Sequence, residues 1–303
     1  MKGKLSFRER ESLCLSSYSQ AGAVYHACTS ENYPLVFRSD SDFKIGMDLF
    51  AVCALRNRQL RILAFELMTN HIHIVIIGLA EDIERFFSEY KKLLARALGV
   101  SLDGFCLKLH QISDLENLRN VIAYVNRNGA MVDEDVTVYS YQWGTNRFYF
   151  NDEAKLRFKV SARQLKSCDI REITHSRKYD EVKDVMAVDG YASPLSFCDI
   201  SLGEDMFRSA RHYFTKVSRH VESYEQIAKL IGESVYYTDD DLFQIVCSLS
   251  RNRYGCNSPT LLPHKEKVEL AKTLRTEYNA NNKQIQRMLK LDQSVLTALF
   301  GKD

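Results

Sequence analysis

Residues 61–68 (RILAFELM) and 71–77 (HIHIVII) are two apolar runs of strand length with only Thr69 and Asn70 between them. The Thr69-Asn70 step reads as a tight connection, which would join the strands antiparallel, or as a bulge. The second run is apolar on both faces apart from its histidines, which predicts a central strand buried on both sides. Any fold of this chain has to cover both faces of that strand.

Covering helices flank it. Residues 42–56 place Phe43, Met47, Phe50 and Ala54 at helical spacing, with Ile45, Leu49 and Val52 as a second apolar row, and Gly46 weakens the first turn. Residues 81–98 set Ile83, Phe86, Phe87, Tyr90, Leu94 and Ala97 on one stripe, and Gly99 follows as a C-terminal cap. Further strands are expected at 22–29 and 105–112. Ser113-x-x-Glu116 reads as a capping box opening a helix to about residue 128, with Gly129 as its stop. Strand, helix, two strands, helix, strand, helix predicts an α+β domain with an antiparallel sheet. After Trp143 the pattern is irregular. From Glu204 it is nearly all helical, over 204–219, 222–233, 239–252, 264–278 and two short helices.

With 303 residues, 45% of them hydrophobic, the chain has apolar surface for about two domains, and whole-chain disorder is excluded. No apolar run approaches the ~20 residues of a membrane span, and residues 1–10 lack the apolar stretch of an export signal. The eight cysteines include no C-x-x-C pair, which argues against a zinc ribbon and predicts small buried thiols in a reducing, cytoplasmic setting. The net charge is +2, yet residues 251–303 hold ten basic and five acidic side chains. That local excess is either a phosphate-facing footprint or an ordinary charged helical surface.

His71 and His73 carry the first chemical content. Two residues apart on a strand, they point to one face with Cα atoms about 6.6 Å apart, where two imidazoles can converge on a divalent metal or serve as satisfied structural groups. The metallo-hydrolase extension H-x-H-x-D-H is broken by Val75 and Ile76. An amidohydrolase barrel would need eight βα units, which are lacking. On the helix after Ser113, Leu115, Leu118, Val121, Ile122 and Val125 form the apolar arc. Tyr124 and Asn128, four apart, are neighbours on its shoulder. There a phenol and an amide could reach a metal held by the sheet, although a tyrosine in that place can also be simple edge packing.

VYHACTS, VFRSDSDF, ILAFELMTNHIHIVI, FFSEYKKLLARAL, LENLRNVIAYVNRNGAMV and YSYQWGTNRFY follow one another in this order. Over about residues 20–150 the set resembles the single-tyrosine HUH transposases of small bacterial insertion sequences, and within them the REP-associated tyrosine transposases. The resemblance implies a ferredoxin-like HUH fold, a metal held by His71, His73 and Asn128, and Tyr124 as nucleophile. Three positions depart from the family pattern: Thr69 and Gly129 stand where proline is usual, and Asn126 where histidine is common.

The resemblance further implies cleavage and rejoining of single-stranded or hairpin DNA through a 5′-phosphotyrosine. No ATP is needed, and no G-x-x-x-x-G-K-[ST] loop is present. Two imidazoles and an amide oxygen suit Mg²⁺ or Mn²⁺. Lys91, Lys92 and Arg96 are expected phosphate contacts or a solvated helix face. Tyr139, Tyr141, Trp143, Phe148 and Tyr149 are expected to stack on bases or to pack at the domain edge.

In the C-terminal part, Val268, Ala271, Leu274 and Tyr278 form one stripe, and Ile285, Met288 and Leu289 a second. Val295, Leu296 and Leu299 are expected to be buried on a last helix that exposes Gln293, Ser294 and Thr297. Helix, short helix, turn, helix is a helix-turn-helix outline, read as DNA binding or as an accessory bundle. The expected organisation is a catalytic domain over 1–155, a helical connecting region over 156–235 and a DNA-binding domain over 236–303. The chain is expected to be cytoplasmic and nucleoid-associated, with no membrane partner, as a monomer or homodimer. The alternative to an active transposase is a domesticated or inactive relative that regulates by binding DNA. A metal-dependent hydrolase would leave Tyr124 without a role.

Overall fold

The computed structural model describes residues 5–132, 139–157, 160–161, 164–174, 185–218, 222–235 and 237–301. It divides into two compact units, 1–219 and 220–303. The division lies upstream of residue 236, and none falls at 155.

In the first unit, α1 (Phe7–Ala21) precedes β1 (Val24–Cys28), α2 (Asp40–Arg56), β2 (Arg61–Leu67), β3 (Ile72–Ile77), α3 (Ala80–Leu98), β4 (Lys108–Gln111) and α4 (Leu115–Val132). The four strands form one antiparallel sheet in the order β2-β3-β1-β4. β1 and β2 are therefore parallel to each other, as are β3 and β4, and each pair is joined by one helix. Right-handed crossovers place both helices, α2 and α3, on one face. That face carries Ile72, Ile74 and Ile76, which pack with Met47, Phe50, Phe86, Tyr90 and Leu94. α4 covers the opposite face, where β3 presents His73 and Val75 and Asn128 of α4 bonds to His73. β3 is buried throughout, as its apolar run required.

Several local expectations are corrected. β4 is only four residues long, so the run 105–112 contributes less strand than its apolarity suggests. α4 is capped by Asp114, whose Oδ1 accepts from the Asn117 backbone at 2.8 Å, not by Ser113. It does not stop at Gly129 but continues to Val132. Gly99 does cap α3, with φ 66° in the left-handed region. The helix α1 was not anticipated. A Ser6–Glu9 capping box starts it, and Glu11 ties it to the buried Arg119 of α4 through two bonds of 2.9 and 3.0 Å.

Beyond α4 come α5 (Asp152–Arg157), β5 (Val160–Ser161), α6 (Ser167–Thr174), β6 (Met186–Val188), β7 (Tyr191–Ala192), α7 (Ile200–Asp205) and α8 (Ala210–Ser218). The expected connecting region thus includes a small antiparallel sheet, β5-β6-β7, rather than helices alone. It is fastened to α2 by Asp48, which accepts from the Ala192 backbone at 2.6 Å. The expected helix 204–219 is broken between α7 and α8. Trp143, Phe148 and Tyr149 are core residues rather than a stacking surface, while Tyr139 is exposed.

The second unit holds α9 (Glu222–Ile231), α10 (Asp239–Tyr254), α11 (His264–Tyr278), α12 (Asn282–Leu289) and α13 (Gln293–Phe300). Its core is Leu242, Val246, Leu270, Ala271, Leu274, Ile285, Leu289 and Leu296. Leu299, expected inside, is exposed. Among the described residues no helix is long and apolar enough to cross a membrane.

Candidate functional site

The site is built on β3 and the last turns of α4. His71 lies just before β3, and its Nδ1 is 2.7 Å from Asn70 Oδ1. The Asn70 amide nitrogen donates to the carbonyls of Glu31 and Tyr33, which can only accept. Its oxygen must therefore face His71, which places a proton on His71 Nδ1 and the lone pair on Nε2. Asn70 is thus the residue that aims His71.

His73 is fully buried. Its Nε2 lies 3.0 Å from Asn128 Nδ2 and its Nδ1 lies 3.2 Å from His26 Nε2. With the Asn128 amide donating to Nε2, the imidazole proton sits on Nδ1 and is given to His26. Burial lowers His73 to about 3 and holds His26 well below the ordinary histidine range, where the neighbouring His73 and His110 lower it further. Both rings are therefore neutral near pH 7, and each carries one lone pair.

Tyr124 is 7% exposed and turned against both rings. Its ring meets His73 edge-on at 5.7 Å between centroids and His26 at 6.1 Å. The helical spacing placed Tyr124 on the shoulder of α4, and the structure puts it at the boundary of helix and sheet beside Asn128. The four residues His71, His73, Tyr124 and Asn128 are thus brought into one corner. The rings of His71 and His73 lie 4.9 Å apart between centroids, with a nitrogen of each within 4.8 Å of the other.

Two imidazole nitrogens and an amide oxygen could hold a divalent ion here. The bond network leaves Nε2 of both histidines as acceptors, and half a turn of the Asn128 amide presents Oδ1 at the same place without change of volume.

His26, Cys28, Glu66 and the aiming role of Asn70 were missed by reading the sequence. His26 interrupts the apolar run VYHAC and Glu66 interrupts RILAFELM, and a lone polar residue inside a buried strand was the available signal. Glu66 pairs directly with His73 in the β2–β3 register, and Cys28 pairs with His73 across β1–β3. Paired residues share a face, so Glu66, His73 and Cys28 form a row beneath α4. Burial pushes the Glu66 carboxyl well above the usual range, only partly offset by the Gly129 backbone N–H. A Cβ at Gly129 would overlap both the Glu66 carboxyl and the Tyr141 ring, which is why glycine stands inside this helix. Asn126 faces away from the site. It donates to Tyr213 at 2.9 Å and accepts from Thr145 at 2.6 Å, locking α4 to the segments around those two residues.

Within the first unit, the expected DNA contacts Lys91, Lys92 and Arg96 do not join this corner. They lie on α3, on the other side of the sheet, with Lys92 and Arg96 exposed. Gln293 and Ser294 are exposed and Thr297 half-buried on α13 of the second unit.

No family model matches the chain, and no curated protein matches it. Among solved structures it is similar to a REP-associated tyrosine transposase bound to a REP hairpin, at a TM-score of 0.34 and 18% identity over 41% of this chain and 76% of that one.

Proposed function

We propose that this protein is a transposase-type single-strand DNA endonuclease and strand transferase of the HUH class. The single observation that carries the reading is the convergence of a phenol, two neutral imidazoles and an amide, Tyr124, His71, His73 and Asn128, at the junction of β3 and α4.

In this reading the Tyr124 oxygen forms a bond to the scissile phosphorus as the bond to the 3′ oxygen breaks. The phenol loses its proton and the departing 3′ oxygen gains one. The products are a 5′-phosphotyrosine on one strand and a free 3′-hydroxyl on the other, and attack by a 3′-hydroxyl on the phosphotyrosine reverses the step. The bond energy stays in the covalent link, so no nucleotide is consumed. A phenol with pKa about 10 is a weak nucleophile at neutral pH and needs an electrophile made more receptive. Mg²⁺ or Mn²⁺ held by His71, His73 and Asn128 would supply that by drawing charge from the phosphate. Asn70 and His26 fix the two imidazoles in the tautomers that keep Nε2 as the acceptor.

The second unit would supply the helix-turn-helix contact, with Gln293, Ser294 and Thr297 on α13 facing the duplex of a hairpin. Lys92 and Arg96 would meet DNA only away from Tyr124, along flanking phosphates.

The test is a denaturing gel with labelled single-stranded and hairpin oligonucleotides. The expected result is a covalent protein–DNA adduct for the wild type and none for Tyr124→Phe, with both proteins melting alike. An adduct of equal yield from the variant removes Tyr124 as nucleophile. DNA binding with no wild-type adduct leaves a DNA-binding regulator instead.

A further inference from the structure

On the other edge of the His73 ring, three donors from two strands face one another. His26 and Cys28 lie two apart on β1 and so share its α4 face, and Cys28 is paired with His73 on β3. All three are buried, at 2%, 1% and 0% exposure. One donor atom from each lies within 4.8 Å of the other two. The two imidazole nitrogens that meet, His26 Nε2 and His73 Nδ1, are 3.2 Å apart.

That spacing has two chemical readings, an N–H···N hydrogen bond or one edge of a metal tetrahedron. Metal–nitrogen bonds of about 2.0–2.1 Å at the tetrahedral angle set the nitrogens about 3.3–3.4 Å apart, close to the observed value. The donors decide which metals qualify. A thiol and two imidazoles make a borderline-soft set that favours Zn²⁺ or Co²⁺ and disfavours Mg²⁺. Both imidazoles are already neutral and need lose no charge to bind.

We propose that His26, Cys28 and His73 form a binding site for a borderline-soft divalent transition metal of the zinc class, distinct from the site on the Nε2 edge of His73. Three protein donors leave one tetrahedral position for a further ligand. Binding releases the Cys28 thiol proton, and the His73 proton moves from Nδ1 to Nε2, where the Asn128 amide, turned by half, accepts it through Oδ1. The metal would cross-link β1 to β3 and fix the His73 ring, while Nε2 still faces Asn128. A neutral imidazole has one lone pair, so the His73 ring serves one site at a time through opposite nitrogens, and this site does not rest on the proposed DNA chemistry.

The experiment uses the full chain, reduced and stripped by chelator, titrated with Co²⁺ as the probe. The expected result is stoichiometric binding with a sulfur-to-cobalt charge-transfer band and the intense visible bands of a tetrahedral centre, all bleached by Zn²⁺. Cys28→Ser should abolish the charge-transfer band, and His26→Gln should weaken Co²⁺ binding about tenfold or more. His71→Ala and Asn128→Ala should leave the spectrum intact even where they abolish DNA cleavage, so the two proposals fail separately. X-ray absorption of the Zn²⁺-loaded wild type should show one sulfur and two nitrogen ligands and needs no variant to fold. No stoichiometric binding, a shell without sulfur, or a charge-transfer band that survives in Cys28→Ser would each overturn the site.

Discussion

Asn128 Nδ2 lies 3.0 Å from His73 Nε2, joining the last turns of α4 to the central strand of the sheet. The contact holds the Tyr124 helix against the histidine pair before any ligand arrives. In the proposed reaction the same amide turns its oxygen to the metal. Asn128→Ala should therefore raise the Mn²⁺ concentration needed for half-maximal oligonucleotide cleavage about tenfold or more. An unchanged Mn²⁺ titration would take Asn128 out of the metal set.

His71→Ala and His73→Ala should each lose cleavage. Excess chelator should abolish wild-type cleavage until Mn²⁺ or Mg²⁺ is restored. Full activity in excess chelator would remove the metal from the reaction.

Gly129→Ala should lower stability by about 1–3 kcal/mol, the ordinary cost of forcing extra atoms into a filled site. The new methyl would meet the Glu66 carboxyl and the Tyr141 ring together. It should also weaken the metal response by shifting Asn128, one residue before it. A urea melt superposable on the wild type would show that this packing is looser than described.

Arg119→Ala should cost about 1–3 kcal/mol, because it removes a buried guanidinium and leaves the Met206 carbonyl without its donor, while Glu11 keeps Arg208 and Glu116 keeps Lys216. Arg119 is 2% exposed, bonds Glu11 through two guanidinium nitrogens and donates from Nε to the Met206 carbonyl at 2.6 Å. A loss below about 1 kcal/mol by urea melt would contradict a network role.

Asp48 gives the stability a pH dependence. Burial raises its carboxyl to about 8, with Glu172 adding to the rise and the Ala192 N–H and Lys44 opposing it. A group raised in the folded state stabilises fully below its unfolded value near 4, and that contribution is lost as pH rises through about 8. Wild-type stability should therefore fall between about pH 4 and pH 8 relative to Asp48→Asn, which keeps the oxygen that Ala192 needs. Parallel stability curves for the two proteins across that range would refute the assignment.

Local periodicity made most of the scaffold legible. Apolar spacing at 3.6 residues in α2, α3 and α4, and continuous Ile-rich runs in β2 and β3, are properties of neighbours in sequence, so the elements and their buried faces could be read directly. Tyr124 and Asn128 were legible as a pair for the same reason, being four apart on one helix. Capping was less so, because Ser113 and Asp114 are adjacent and only the final geometry chose Asp114.

What only the tertiary structure decided is what stands across from what. Pairing register sets Cys28 and Glu66 beside His73, and it depends on strands brought together from separate parts of the chain. The same pairing turned His26 toward His73 and made Gly129 a close-packing position instead of a helix stop. Crossover handedness put α3 and its Lys92 and Arg96 on the far side of the sheet from Tyr124, a relation that no spacing along the sequence contains. The sequence determined which residues could form a site, and the sheet determined which of them meet.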